Sequence, residues 1–387
     1  MLTKPVRLEI YRTAIPMRSF QHAAAIRELA EAVVVRMEFS DGGVGWGETL
    51  PRPYVTGETT DSVVADISQV FWPAVAGRDI DRLDILHHPQ VTAQRRCMNA
   101  AACAMDLASL RRLLDARDPS RWVLSGVANG PQRLRGRIGA VVSGVLGSSD
   151  PRRTARRLRL MRLYGLRDFK LKLGFGDEAD AENLRVLHGQ IGKAVSAGKR
   201  TLRVDVNGGW DLPTTPQRVA ALRQYGVCAV EQPVLCPAGV LAELARRCEL
   251  PLMADESLIT AEDAQALLAE PRRVWWNIRL SKNGGLVPAL ALARLAAEHG
   301  VPTVVGCMVG ETSILSAAQR LLLQLAAGPR FVEGNYGRFL LGDDLTRRSL
   351  RFGYGGRLRP LKGPGLGVQI DPAKLKRHGV LVASLTG

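Results

Sequence analysis

The chain has no apolar run approaching the ~20 residues that a membrane-crossing helix requires, so no bilayer-spanning helix is expected. Aromatic residues are scarce, at 5%. No basic segment interleaves them as a single-strand stacking platform would, and nucleic acid is therefore not an expected partner. The cysteines (Cys97, Cys103, Cys228, Cys236, Cys248 and Cys307) form no C-x-x-C pair, and the histidines show no H-E-x-x-H spacing. That argues against a disulfide framework and against zinc. The first ten residues lack the apolar segment of a secretory signal. A reduced, cytoplasmic protein with neither membrane nor nucleic-acid partner is the expectation.

Acidic residues are also in short supply, 37 against 53 Lys and Arg, giving a net charge of +16. The excess is scattered in pairs such as Arg111-Arg112, Arg152-Arg153 and Arg347-Arg348. Such charges form a solvated face, or a field that steers a small anionic substrate. What is present in quantity is apolar material: 46% of 387 residues, enough for a large core and a length suited to two domains, one of which can be a barrel.

Residues 5 to about 60 alternate in the manner of strands, with Val6–Arg12, Ala32–Phe39 and Val44–Glu48, the last two joined by the turn Ser40-Asp-Gly-Gly. From about 61 to 116 the period becomes helical, clearest over Asn99–Leu114. From about 137, strand-then-helix units repeat. Strands are expected at Arg137–Ser143, Asp168–Gly174, Thr201–Asn207, Val227–Gln232, Leu250–Glu256, Val274–Ser281, Val301–Met308 and Phe331–Glu333. Eight such units imply an α/β fold with a modified βα barrel, its last strand lacking a helix. The expected division is an α+β capping domain over 1–130, a barrel over 131–359, and a tail, 360–387, returning to the first.

Barrel active sites lie at the C-terminal ends of the strands. The second strand ends in Lys170-Leu-Lys172, the third in Asp205-Val-Asn207, the fourth in Glu231-Gln-Pro, the fifth in Asp255-Glu256-Ser257 and the sixth in Asn277-Ile-Arg279. Each has an ordinary alternative: Asp205 as a turn residue, Glu231 or Asp255 as a helix cap, the lysines as the polar face of an edge strand. Together, at consecutive strand ends, they point to chemistry. Alternation sends Lys170 and Lys172 to one face. Three carboxylates on adjacent parallel strands repel one another unless a cation sits between them, and hard oxygen donors suit Mg²⁺, with Mn²⁺ an alternative. Lysine is a poor base at its ordinary pKa of about 10.4. A like-charged neighbour and a nearby divalent ion both disfavour its ammonium form, and Lys170 can be that neighbour.

As an ordered set, with Asn277-x-x-x-x-Lys282-Asn-Gly-Gly added, these pieces resemble the enolase superfamily, in particular the muconate cycloisomerase subgroup of the mandelate racemase–muconate lactonizing enzyme family. The resemblance implies a (β/α)7β barrel under an α+β cap and Mg²⁺ on Asp205, Glu231 and Asp255. It implies Lys172 as the acid/base beside Lys170, with Asn207, Glu256, Asn277 and Lys282 around them. Two capping loops would select the substrate, one carrying Arg18, Phe20 and His22, the other Arg52, Tyr54 and Thr56. Barrels of this family associate, so a homo-oligomer is expected.

The pattern breaks at Arg279, where such proteins carry a second lysine. Arginine cannot serve as a base, and its fork suits the holding of a carboxylate. Lys282 is expected outside the mouth. Glu311, in the seventh unit, either contacts substrate or caps the following helix. The expected activity is removal or delivery of a proton α to a carboxylate through an enediolate, giving cycloisomerase-like isomerisation or syn-elimination of a small anionic acid. The alternatives are a racemase or epimerase of an amino acid, dipeptide or hydroxy acid, and a non-catalytic metal-binding scaffold.

Overall fold

The computed structural model describes residues 4–22, 25–78, 97–115, 135–363 and 365–387. The N-terminal third is a sheet backed by helices. Strands β1 (Pro5–His22), β2 (Ala25–Phe39) and β3 (Val44–Thr49) form an antiparallel meander. Its second turn is tight because Gly42 adopts a positive φ of 78° and Asp41 accepts from the Gly43 N–H. Short helices α1 (Pro53–Thr56), α2 (Thr60–Asp66) and α3 (Trp72–Val75) follow, then the long α4 (Asn99–Asp115). Alternation on β3 turns Gly45 and Gly47 toward α4. A Cβ on either glycine would lie 1.8 Å from a carbonyl oxygen of Ala108 or Ala104, so only glycine lets helix and strand come this close.

The second body begins at β4 (Gly144–Leu146). The remaining barrel strands are β5 (Asp168–Lys172), β6 (Thr201–Asp205), β7 (Val227–Glu231), β8 (Leu252–Ala254), β9 (Val274–Ile278), β10 (Thr303–Val305) and β11 (Phe331–Val332). They lie side by side in chain order in one parallel eight-stranded sheet. A helix follows each of the first seven: α5 (Pro151–Leu163), α6 (Asp177–Ser196), α7 (Thr215–Leu222), α8 (Ala238–Arg246), α9 (Ala261–Leu267), α10 (Leu286–Glu298) and α11 (Ser313–Leu325). None follows β11. A parallel bridge from Val142 to Val332, with the Ser143 N–H donating to the Val332 carbonyl at 2.8 Å, closes the ring. The fold is the expected (β/α)7β barrel with an α+β cap. After α12 (Pro372–His378) the chain ends in β12 (Gly379–Thr386), which pairs antiparallel with β1.

The first barrel strand differs from expectation. Arg137–Ser143 makes only isolated bridges, from Val141 to Arg357 and from Val142 to Val332, while the ladder to β5 runs over Gly144–Leu146. The β-branched run marks extended chain, but pairing begins only where β5 comes alongside. The other strands stop one to three residues short of their expected ends where polar residues turn the backbone into the mouth. Asn207, Gln232 and Asn335, each just beyond a barrel strand, are the non-glycine residues with positive φ among those described, at 50°, 35° and 55°. Such strain gathers at functional sites.

Candidate active site

Period-two alternation builds the mouth. On β5 it buries Phe169 and Leu171 and turns Lys170 and Lys172 inward; on β6 it turns in Arg203 and Asp205. The Lys170 ammonium donates to Glu231 at 2.9 Å and pairs with Glu333 at 2.6 Å and Asp205 at 3.5 Å. Lys172 donates to Asp205 at 2.9 Å and to the Asn207 side-chain oxygen at 2.7 Å. Asn277 donates to Glu231 at 2.7 Å. The Arg279 guanidinium bridges Glu231, at 3.2 Å, and Asp255. Lys170, Lys172, Asp205, Glu231 and Asp255 are all buried.

Buried charges persist only when paired, and here each carboxylate has a cation. Burial works against the Lys170 ammonium, but Glu231, Glu333 and Asp205 outweigh it and hold its pKa well above the usual lysine value. Burial likewise opposes the Asp205 carboxylate, yet Lys172 and Lys170 bring it below the ordinary range. Lys170 stands beside Lys172 with its charge offset by carboxylates. Both lysines share Asp205, and Lys170 is neutralised from three sides.

One expectation needs correction, and one of two alternatives falls away. Lys282 is not outside the mouth. It is fully buried and donates to the Asp255 carbonyl (2.7 Å), the Asp255 carboxylate (3.0 Å) and the Asn277 carbonyl (2.8 Å). The turn after β9 folds back, with the Asn283 N–H donating to the Arg279 carbonyl, and carries Lys282 beneath the site. Glu311 is not the cap of α11, whose N-cap is Thr312. Glu311 accepts the Met308 N–H at 2.7 Å and faces the mouth cavity; burial, offset in part by that N–H, pushes it up to about 8.

Glu256 lies outside this cavity, one carboxylate oxygen buried without a partner, and is pushed up to about 8 by burial and by Asp255. Of the capping residues, Arg18 lines the cavity, and its N–H donates to the Leu340 carbonyl. The side chains of Phe20 and His22 lie outside the described residues. Arg52 is buried, donates to the Pro51 carbonyl and to the Val309 carbonyl beyond β10, and is not among the residues lining the cavity. Tyr54 and Thr56 sit on α1, away from the cavity lining.

Two residues the sequence reading missed complete the network. Glu333 follows β11 and accepts from Arg203 at 3.0 Å, while Arg203 also reaches Ser143 at 2.8 Å. Glu333 obeys the same strand-end rule as the others, and Arg203 lies two residues before Asp205 on the same face. Both signals were legible.

The donor set suits a divalent cation. Asp205, Glu231 and Asp255 offer hard oxygens from neighbouring strands, and a positive group, the Arg279 guanidinium, already bridges two of them. Among the described residues no ready-made three-ligand cage stands open, because the oxygens are turned onto Lys170, Lys172, Arg279 and Lys282.

Residues 152–374 match the family model described as enolase C-terminal domain-like, more than half of the chain. The protein belongs to the enolase superfamily. The L-Ala-D/L-Glu epimerase of Bacillus subtilis is 30% identical over 96% of this chain and 98% of its own length. The chloromuconate cycloisomerase of Cupriavidus pinatubonensis is 28% identical over 94% and 95%. Among solved structures, the N-succinyl Arg/Lys racemase of Bacillus cereus superposes with a TM-score of 0.85 over 99% of this chain and 100% of its own, at 24% identity, which shows the fold. The dipeptide epimerase of Cytophaga hutchinsonii, complexed with Mg and a dipeptide, does so with a TM-score of 0.81 over 100% and 99%, at 21% identity. This enolase-superfamily member is accordingly an enzyme whose chemistry is proton abstraction next to a carboxylate. The relatives support its racemase or epimerase alternative better than the cycloisomerase-like reading. Among the described residues no helix is long and apolar enough to cross a membrane.

Proposed function

We propose that this enzyme is a Mg²⁺-dependent racemase or epimerase of a small carboxylate of the amino-acid or dipeptide kind, with Lys172 working one face of the α-carbon and Glu311 the other. The observation that carries this is that Lys172 and Glu311 border one cavity from the ends of the second and seventh barrel strands. A carboxyl with a pKa of about 8 is protonated at neutral pH, and Glu311 keeps one oxygen free of the Met308 N–H to deliver that proton. Asp205, Glu231 and Asp255 would hold the ion, with Arg279 withdrawing. The ion supplies positive charge to offset the anion that builds on the substrate carboxylate. Lys172, fixed between Asp205 and Asn207, is aimed at the cavity and moves the proton; Lys170 keeps Glu231, Asp205 and Glu333 in place.

The second reading, one-face isomerisation of the cycloisomerase kind, is favoured by Arg279 standing where a second lysine is the family habit. The test is stereochemical. Each enantiomer of an accepted carboxylate is incubated with enzyme and Mg²⁺ in D₂O, and α-deuterium is followed by NMR. Exchange of both enantiomers is expected, with Glu311→Gln losing one and keeping the other. A parent that exchanges a single enantiomer establishes the one-face reading instead.

A further inference from the structure

The barrel has eight strands and seven helices, and the chain after β11 runs irregularly, with single turns at Gly337–Phe339 and Tyr354–Gly356. Among the described residues, the flank between α11 and α5 therefore carries no eighth helix. There α5 and the turn behind it direct Arg157, Leu160, Met161 and Tyr164 at the space, a spacing of i, i+3, i+4 and i+7 that makes one stripe. Such a stripe ordinarily packs on a neighbouring helix. Here Leu160 is 57% exposed. Phe339 and Phe352 pack edge-on against the Tyr164 ring, at centroid distances of 5.4 and 5.9 Å, and wall the same space. This apolar space is one end of a continuous cavity of about 370 Å³ whose other end holds Lys172, Arg279 and Glu311.

From this continuity we infer that the space of the missing helix receives an arm of the substrate: a carboxylate whose α-carbon bears a long aliphatic or aromatic group. The inference rests on the proposed reaction for the position of the carboxylate end. A volume of this order accommodates a ligand well beyond a few carbon atoms. The aromatic walls suit a planar or aliphatic arm better than a charged one. Half-buried Arg157 has one described hydrogen bond, to the Gly147 carbonyl at 3.4 Å. It offers its remaining donors to a carbonyl on the arm.

The test uses a series in which only the arm grows: N-acetyl-, N-hexanoyl- and N-phenylacetyl-alanine, with Mg²⁺ present. Calorimetry on the Lys172→Ala protein reads binding without turnover. Tightening of tenfold or more from acetyl to phenylacetyl is expected. Leu160→Arg should cut that ratio about tenfold, and Leu163→Arg, on the same helix but off the cavity lining, should preserve it. Equal affinity across the series, or no binding by any member, overturns the arm site. Tightening with arm length, combined with an absence of α-deuterium exchange in the parent enzyme, leaves the arm site standing and sinks the proposed reaction.

Discussion

Two groups of buried carboxylates solve the same physical problem in different ways. At the barrel mouth, Asp205, Glu231, Asp255 and Glu333 are balanced by whole charges, those of Lys170, Lys172, Arg203, Arg279 and Lys282. Elsewhere Glu48, Glu58 and Asp106 are balanced by helix N-termini, Glu48 and Asp106 across the junction of cap and barrel and Glu58 within the cap. Glu48 on β3 accepts from the Thr312 and Leu315 N–H groups of α11 at 2.9 and 3.0 Å, and from the Thr312 hydroxyl at 2.7 Å. Asp106 of α4 accepts the Leu286 N–H at the start of α10, at 2.6 Å. Glu58 accepts from Ala100 and Ala101 at the start of α4. Partial charges at a helix end offset less than a full cation does. Burial therefore wins in this group, and Glu48, Glu58 and Asp106 are each pushed up to about 7, whereas at the mouth Asp205, Asp255 and Glu333 are drawn below the ordinary carboxylate range and Glu231 alone of that group is raised by burial. Charge-matched carboxylates can exchange one cation for another, which a reaction site needs. Dipole-matched ones cannot, and Glu48 and Asp106 pin two bodies together.

Lys172→Ala breaks the contrast most sharply. Losing a positioned acid/base costs about 10²–10⁴-fold in rate, so α-deuterium exchange should fall by that factor while the melting temperature stays near that of the parent. Exchange at the parental rate would assign the base elsewhere. Next comes Glu48→Ala, which strands two N–H groups and a hydroxyl in the interior. With unpaired buried groups costing about 1–3 kcal/mol each, a loss of about 3 kcal/mol is expected in chemical denaturation. A change under about 0.5 kcal/mol would show that water or relaxation satisfies α11 without the cap.

A smaller effect is expected at the cation exchange itself. With its guanidinium gone, Arg279→Met presents Glu231 and Asp255 to an incoming ion without a competitor. Titration calorimetry should show Mg²⁺ bound about tenfold more tightly, or ~1.4 kcal/mol. Weaker binding would mean that Arg279 assists the ion instead of standing in its place.

The mildest contrast is with pH. For Glu48, Glu58 and Asp106 the folded pKa lies above the unfolded one, so the folded chain holds protons that the unfolded chain has already released. Their contribution is fully present below about pH 4 and is lost as pH rises to about 7. Each group adds at most about 1.4 kcal/mol per pH unit to that decline. Glu48→Gln should flatten it by one group's share in melts taken between pH 4.5 and 7.5. A parallel decline in parent and variant would remove Glu48 from the account.

How much of this was legible follows from how local each signal is. Lys170, Lys172, Asp205, Glu231 and Asp255 could be read because strand alternation and the strand-end rule act within a few residues. The missing eighth helix was readable for the same reason. Lys282 was not, because its burial depends on the turn at Arg279–Asn283 and on three acceptor atoms of Asp255, just beyond β8, and Asn277 of β9. The pairing of Glu48 with α11 spans 264 positions and that of Asp106 with α10 spans 180. No pattern along the chain announces contacts so distant. The Arg279 bridge shows the same limit: its departure from the family habit was visible, but its seat on Glu231 and Asp255 required three strands in register.

The pairing of β12 with β1 has a consequence for synthesis. Arg7 and Ser384, which meet across that ladder, are 377 residues apart. As the chain leaves the ribosome, β1 can pair with β2 at once, and the barrel can close, while the outer edge of β1 still lacks its neighbour. Until Gly379–Thr386 has been made, that edge is an open template for pairing with another nascent chain. The strand that seals β1 is thus made after every barrel strand, and the edge of β1 is protected only once β12 has docked.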